Sequence, residues 1–207
     1  MDELVYYFVG DNDLLELINS ESSYTMNDES IMEEKDEWFN CIERLCDSQS
    51  ITFWDTTKVT TMKEMFFQKK QFNELLLWNT KNVTNMSYMF YMTKSFNQPL
   101  EFNTDKVTNM SAMFAGASSF NQSLKFNTEN VIDMSGMFDG ACSFNHPLEF
   151  NTENVTNMSG MFYDASSFNQ PLEFNTMNVS NMSYMFDGMS GMFNNSGMKN
   201  MPHWYNE

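Results

Sequence analysis

Positive charge is scarce in this sequence: Lys and Arg number 11 against 28 Asp and Glu, a formal charge of −17. Such a chain repels a nucleic-acid backbone unless a local basic stripe intervenes, and there is none. Cysteine is confined to Cys41, Cys46 and Cys142, an odd number without repeated spacing. That excludes the disulfide framework of a small secreted module and points to a reducing compartment. Histidine is confined to His146 and His203, too few and too scattered, even with the cysteines, for a zinc site. Long apolar runs are missing as well, since no window approaches the roughly 20 residues that span a bilayer. The stretch Met1 to Asp11 is acidic where a signal peptide is basic, and no lipid-attachment cysteine follows, so no export signal is read.

What charge there is lies unevenly. Residues 1–53 hold fourteen Asp and Glu with only Lys35 and Arg44, a net −12, which leaves −5 from Trp54 onward. At 207 residues the chain is long enough to bury the core of one domain and a small cap.

What is abundant is repetition. Val59, Val83, Val107, Val131, Val155 and Val179 recur at an interval of 24, and the blocks align without a gap from Trp54 to Glu173. Each block starts on an aromatic, in turn Trp54, Trp78, Phe102, Phe126, Phe150 and Phe174. It continues through Asn-Thr and Val-Thr-Asn-Met-Ser-x-Met-Phe to Ser-Phe-Asn-Gln-Pro-Leu-Glu, most cleanly at residues 150–173.

Within a block the apolar spacing changes halfway. Val83, Met86, Met89 and Phe90 fall on one face of a short helical segment, with Asn79 and Thr80 placed to cap it. Gly116, Gly140 and Gly188 mark its end, where a left-handed residue is needed. Leu100 and Phe102, like Leu124 and Phe126 or Leu148 and Phe150, then alternate with a polar residue, the period of a short strand, entered through Pro99, Pro147 or Pro171. One such unit cannot bury its own apolar side, so the copies must stack. The expected fold is an α/β repeat solenoid of about six 24-residue turns, each a short strand plus a short helical segment, about 30 Å long at strand spacing. The paired methionines, among them Met86/Met89 and Met134/Met137, the column Phe72 to Phe168, and the block-start aromatics face inward. The column Asn73, Asn97, Asn121, Asn145 and Asn169 must pair with backbone groups of the turn.

The ends need covers. Trp38, Cys41, Ile42 and Leu45 stand at helical spacing within residues 31–47, with Ser30 as cap, so a helix closes the first copy. The divisions are residues 1–29, an acidic N-terminal segment that is either partly disordered or a small element with a short helix near Leu14 to Ile18; residues 30–53, amphipathic capping helix and linker; residues 54–197, the repeats; and residues 198–207, a tail.

The blocks Trp-Asn-Thr-x-Asn-Val-Thr-Asn-Met-Ser-x-Met-Phe and Ser-Phe-Asn-Gln-Pro-Leu, over residues 54–190, resemble the BspA-type leucine-rich-repeat surface proteins, specifically the mycoplasma-lipoprotein-like repeat of unknown function. Trp38 ahead of Trp54-Asp55-Thr56 resembles the helix that precedes the first block in that family. The resemblance implies a curved, right-handed, leucine-rich-repeat-like stack serving adhesion or protein binding without catalysis. Family members are often exported and this chain departs from them in showing no signal. Such repeats also occur in unicellular eukaryotes and large DNA viruses, so the expected location is intracellular or virion-associated, with the cell surface implied by analogy alone.

Several candidate sites have plain structural explanations. Asn82, Asn85, Asn109, Asn154 and Asn157 satisfy the N-glycosylation rule, but one repeat generates the match each time, so they read as capping residues. His146 replaces the glutamine of Gln98, Gln122 and Gln170, a substitution in a polar column. Cys142 aligns with Lys94, Ser118 and Ser166 and has no base beside it in the pattern. The candidates for partner contact are the acidic column Glu101, Glu149 and Glu173, interrupted by Lys125, and the aromatics Tyr88, Tyr91, Tyr163 and Tyr184 at variable positions beside the Met-Phe core.

The functional expectation is a non-catalytic module, binding a protein partner or serving as structure, with no catalytic residue, cofactor or metal. The alternatives are a carbohydrate- or ice-binding surface built on regular Thr and Asn columns such as Thr80, Thr104, Thr128, Thr152 and Thr176, an adhesin-like role by family analogy, and an enzyme whose site lies in residues 1–53.

Overall fold

A computed structural model describes residues 27–29, 31–32 and 51–189. From Trp54 to Met189 the described chain holds neither a regular helix nor a strand, only turns, extended segments and single bridges; one 3-10 turn, Ile51–Phe53, precedes it. Order comes from the register between copies. Parallel bridges join Thr61 to Asn85, Asn85 to Asn109, Asn109 to Asp133, Asp133 to Asn157 and Asn157 to Asn181, each 24 residues on.

The helical segment expected at Val83 to Phe90 is a run of β-turns instead. The N–H groups of Met89, Tyr91 and Thr93 each bond the carbonyl three residues back. Those of Met86, Tyr88, Phe90 and Met92 donate to Asn109, Ser111, Met113 and Ala115 of the next copy. The alternation requires left-handed residues, and they occur in pairs four apart: Glu64/Gln68, Tyr88/Met92, Ala112/Gly116, Gly136/Gly140, Gly160/Asp164 and Tyr184/Gly188 all have φ between 50° and 76°. A positive φ at the third residue of a turn sends the following N–H out of the helical path. The apolar spacing of three suits such turns as well as it suits a helix, which is why periodicity misassigned them.

The strand expected at Leu100 to Phe102 also differs. Burial alternates there, with Leu100 and Phe102 inside and Glu101 outside, yet no backbone hydrogen bond joins these residues to another copy. Side chains tie this stretch. Thr56, Thr80, Thr104, Thr128 and Thr152 are buried, and each hydroxyl donates at 2.8–2.9 Å to the carbonyl of an asparagine in the next copy, Asn79 through Asn175. The Asn97 backbone N–H donates to Asn73 Oδ1 at 2.8 Å, and the same bond links Asn121 to Asn97, Asn145 to Asn121 and Asn169 to Asn145. The asparagine column thus bonds backbone of the neighbouring copy rather than of its own turn.

The core is a set of columns of equivalent residues. Val59, Val83, Val107, Val131 and Val155 are fully buried, as are the methionine pairs from Met62/Met65 to Met158/Met161. Val179 and Met182, in the sixth copy, are partly buried. Phe66, Phe90, Phe114, Phe138, Phe162 and Phe186 stack at 5.5–5.9 Å. Phe72 to Phe168 form a second column at 5.8–6.0 Å. The two touch within each of the first five copies at 3.9–4.3 Å. Each offset aromatic pair contributes about 0.5–1.5 kcal/mol beyond its buried area.

At the N-terminal end Asp28 and Glu29 are already helical, and Asn27 Oδ1 accepts the Glu29 N–H at 3.0 Å. The cap is therefore Asn27, three residues before the expected Ser30. Ile31 is fully buried in the core. The remainder of the helix expected over residues 31–47, the element near Leu14, and residues 190–207 lie outside the described residues.

Candidate functional site

Repetition dictates where a specific site can lie. Inward columns carry nearly the same residue in every copy, whereas the columns at the left-handed turns do not. One reads Glu64, Tyr88, Ala112, Gly136, Gly160, Tyr184; a second Phe67, Tyr91, Ala115, Asp139, Tyr163, Asp187; a third Gln68, Met92, Gly116, Gly140, Asp164, Gly188. The backbone holds all three to one face, because the left-handed residues of the first five copies, from Glu64 to Asp164, donate their N–H groups to the copy that follows.

This face has aromatic ends and a low middle. Tyr91 stacks on Phe67 at 4.8 Å and meets Tyr88 at 5.7 Å, with Phe67, Tyr88 and Met92 each more than one-third exposed. Tyr163 and Tyr184, 39% and 66% exposed, line a shallow depression of about 360 Å³ with Gly136, Asp139, Ser159, Gly160 and Ser183. Between the two aromatic groups lie the small residues Ala112, Ala115, Gly116 and Gly140. The predicted tyrosines thus form two pairs on one face.

Electrostatics distinguish the Tyr163/Tyr184 end. The Asp139 side chain is exposed, yet its carboxyl sits low against the turns, and that burial first, then the neighbouring Asp164 charge, pushes its pKa up. No cation pairs with Asp139, Asp164 or Asp187 among the described residues. Nor do three His, Cys, Asp or Glu side chains converge as a metal centre requires, among the same residues.

The other candidates are dispersed. Glu101, Glu149 and Glu173 are exposed, away from any strand ladder, and without an ion pair among the described residues. His146 Nε2 lies 3.1 Å from the Asn121 carbonyl, where Gln98, Gln122 and Gln170 place their amides. Cys142 is exposed and turned to the carbonyls of Gly140 and Asp164. The glycosylation-rule asparagines hold turns and copies together: Asn85, Asn109 and Asn157 accept the N–H two residues on, and the Asn82 and Asn154 amides donate to the preceding copy. The threonines Thr80, Thr104, Thr128 and Thr152 cannot line a glycan or lattice, since they are buried and their hydroxyls are bonded; Thr176 is half-buried. The exposed threonine column is Thr60, Thr84, Thr108 and Thr156, and the hydroxyls of Thr84, Thr108 and Thr156 bond carbonyls of the preceding copy.

Sequence reasoning missed Phe67, Met92, Asp139, Asp164 and the glycines of the depression. The signal was present in the aligned blocks, because Asp139 and Asp187 share a column with Tyr91 and Tyr163. No helix among the described residues is long and apolar enough to cross a membrane. No curated protein and no solved structure matches the chain. Residues 34–125 and again residues 123–204 match the family described as Mycoplasma protein of unknown function, DUF285, and the chain belongs to that family.

Proposed function

We propose that this chain is a non-catalytic repeat solenoid, leucine-rich-repeat-like and of the BspA type, that binds a protein partner through the face built from its left-handed turns. The observation carrying this reading is the contrast between columns: buried positions repeat from copy to copy, while the face of Tyr88, Tyr91, Asp139, Tyr163 and Tyr184 changes at every copy. A purely structural rod has no need of that variation, and its exposed aromatics are of the type enriched at protein interfaces. The side chains on the face also lack the nucleophile-and-base pairing of an active centre.

Immobilised protein should retain a discrete partner from cells that make it, and Tyr163→Ala/Tyr184→Ala should lose it while Glu149→Gln/Glu173→Gln keeps it. Equal retention by both variants would move the binding surface elsewhere. The fold reading has its own check: deleting residues 102–125 should leave a cooperatively folded protein shorter by one copy. Global unfolding of that deletion would exclude nearest-neighbour stacking.

A further inference from the structure

The depression between Tyr163 and Tyr184 is specific in chemistry as well as shape. Two exposed phenol rings rim a floor of Gly136 and Gly160, and carboxylates alone supply charge around it: Asp139 in the lining, and Asp164 and Asp187 in the adjoining turns. None of the three pairs with a cation among the described residues. Glycine at 136 and 160 keeps the floor low, because a β-carbon there would rise into van der Waals contact with Asp139, Ala112 or Tyr163 at 3.8–3.9 Å. Asp164 leans the other way, its carboxylate over Gly188 of the next copy.

We infer that this depression receives a lysine- or arginine-bearing segment of a protein partner, its cationic side chain lying against the Tyr163 and Tyr184 rings with Asp139 as counter-ion and Asp164, outside the lining, adding to the negative field. This rests on the reading of the chain as a binding module and names the chemistry of the partner. An electron-rich ring face attracts a cation, more strongly as water is excluded. Burial first, and then the Asp164 charge, raise the pKa of Asp139, and a bound cation would offset the second of these. A metal ion is a poorer occupant, since the described donors do not converge. A neutral glycan would gain from the rings but not from the carboxylates. The charge of −17 adds long-range attraction for any basic ligand, so the experiment must separate local from bulk charge.

The test measures fluorescence anisotropy of a labelled peptide of alternating arginine and glycine against the full chain. The matched citrulline-glycine peptide and a chitin oligosaccharide serve as comparisons. Asp139→Asn/Asp164→Asn should weaken arginine-peptide binding about tenfold, and Tyr184→Ala about threefold or more. Glu149→Gln/Glu173→Gln, which removes the same charge elsewhere, should change it less than about twofold. Thermal unfolding of each variant checks that the fold persists, and asparagine tolerates the left-handed position at 164. Equal losses from the two double variants would overturn the inference, as would no preference over the citrulline peptide, no binding, or binding of the oligosaccharide alone. Any of these failures, alongside partner capture that still depends on Tyr163 and Tyr184, would leave the binding-module reading standing and sink only the cationic partner.

Discussion

The carboxylate of Asp164 lies over the α-carbon of Gly188 in the following copy, in the place a β-carbon would occupy. Both residues are left-handed, with φ of 50° and 76°. Met92 over Gly116 repeats the relationship in the same column, with a sulfur atom 2.5 Å from the absent β-carbon.

Two glycines of this column should thus respond differently to the same change. Gly140→Ala meets nothing closer than the Gly116 backbone at 3.8 Å, so its cost is that of a left-handed alanine, about 1–2 kcal/mol. Gly188→Ala adds the displacement of Asp164 and should cost about 0.5–1 kcal/mol more. Chemical denaturation of Gly188→Ala in an Asp164→Ala background should recover that excess; an unchanged cost would place the clash elsewhere.

Acid should act at two points with opposite sign. The Asp28 carboxylate stands where the preceding copy would supply a carbonyl, accepting the N–H groups of Thr60 and Thr61 and the Thr60 hydroxyl. Burial pushes its pKa up, but these three bonds outweigh it and hold the group below the ordinary 3.8. The unfolded chain then binds the proton more readily. Asp28 stabilises the fold fully above about 3.8, and that contribution is lost as pH falls through the lowered folded value. Asp139 is raised, so its charge costs stability at neutral pH and the cost vanishes below 3.8. Urea denaturation across pH should show Asp28→Asn destabilised at pH 7 and converging on wild type in acid. Asp139→Asn should be stabilised at pH 7 and converge likewise.

Thr104 is 2% exposed, and its hydroxyl holds the Asn127 carbonyl at 2.8 Å. Thr104→Val preserves shape but strands that carbonyl, a loss of about 1–3 kcal/mol. Thr104→Ser keeps the bond and removes one methyl, a loss of about 0.8 kcal/mol. Melting curves that ranked the two in the reverse order would show that packing, not the hydroxyl, matters at this column.

The sequence by itself determined the period and the inward columns, because burial of one apolar side at a fixed interval leaves an unambiguous pattern. It did not determine the backbone. Val83, Met86 and Met89 fit a helix and a run of turns equally well, since both return to the same side every third residue. Only contact between copies decides, when the N–H groups of Tyr88 and Met92 find Ser111 and Ala115 in the next copy. That pairing forces positive φ on residues as unsuited to it as Tyr88 and Met92, and no local preference would have chosen them. The same register gathers Asp139, Tyr163 and Tyr184 around one depression. They are distant along the chain and adjacent in space, because a residue's neighbours here are those one copy away rather than those beside it.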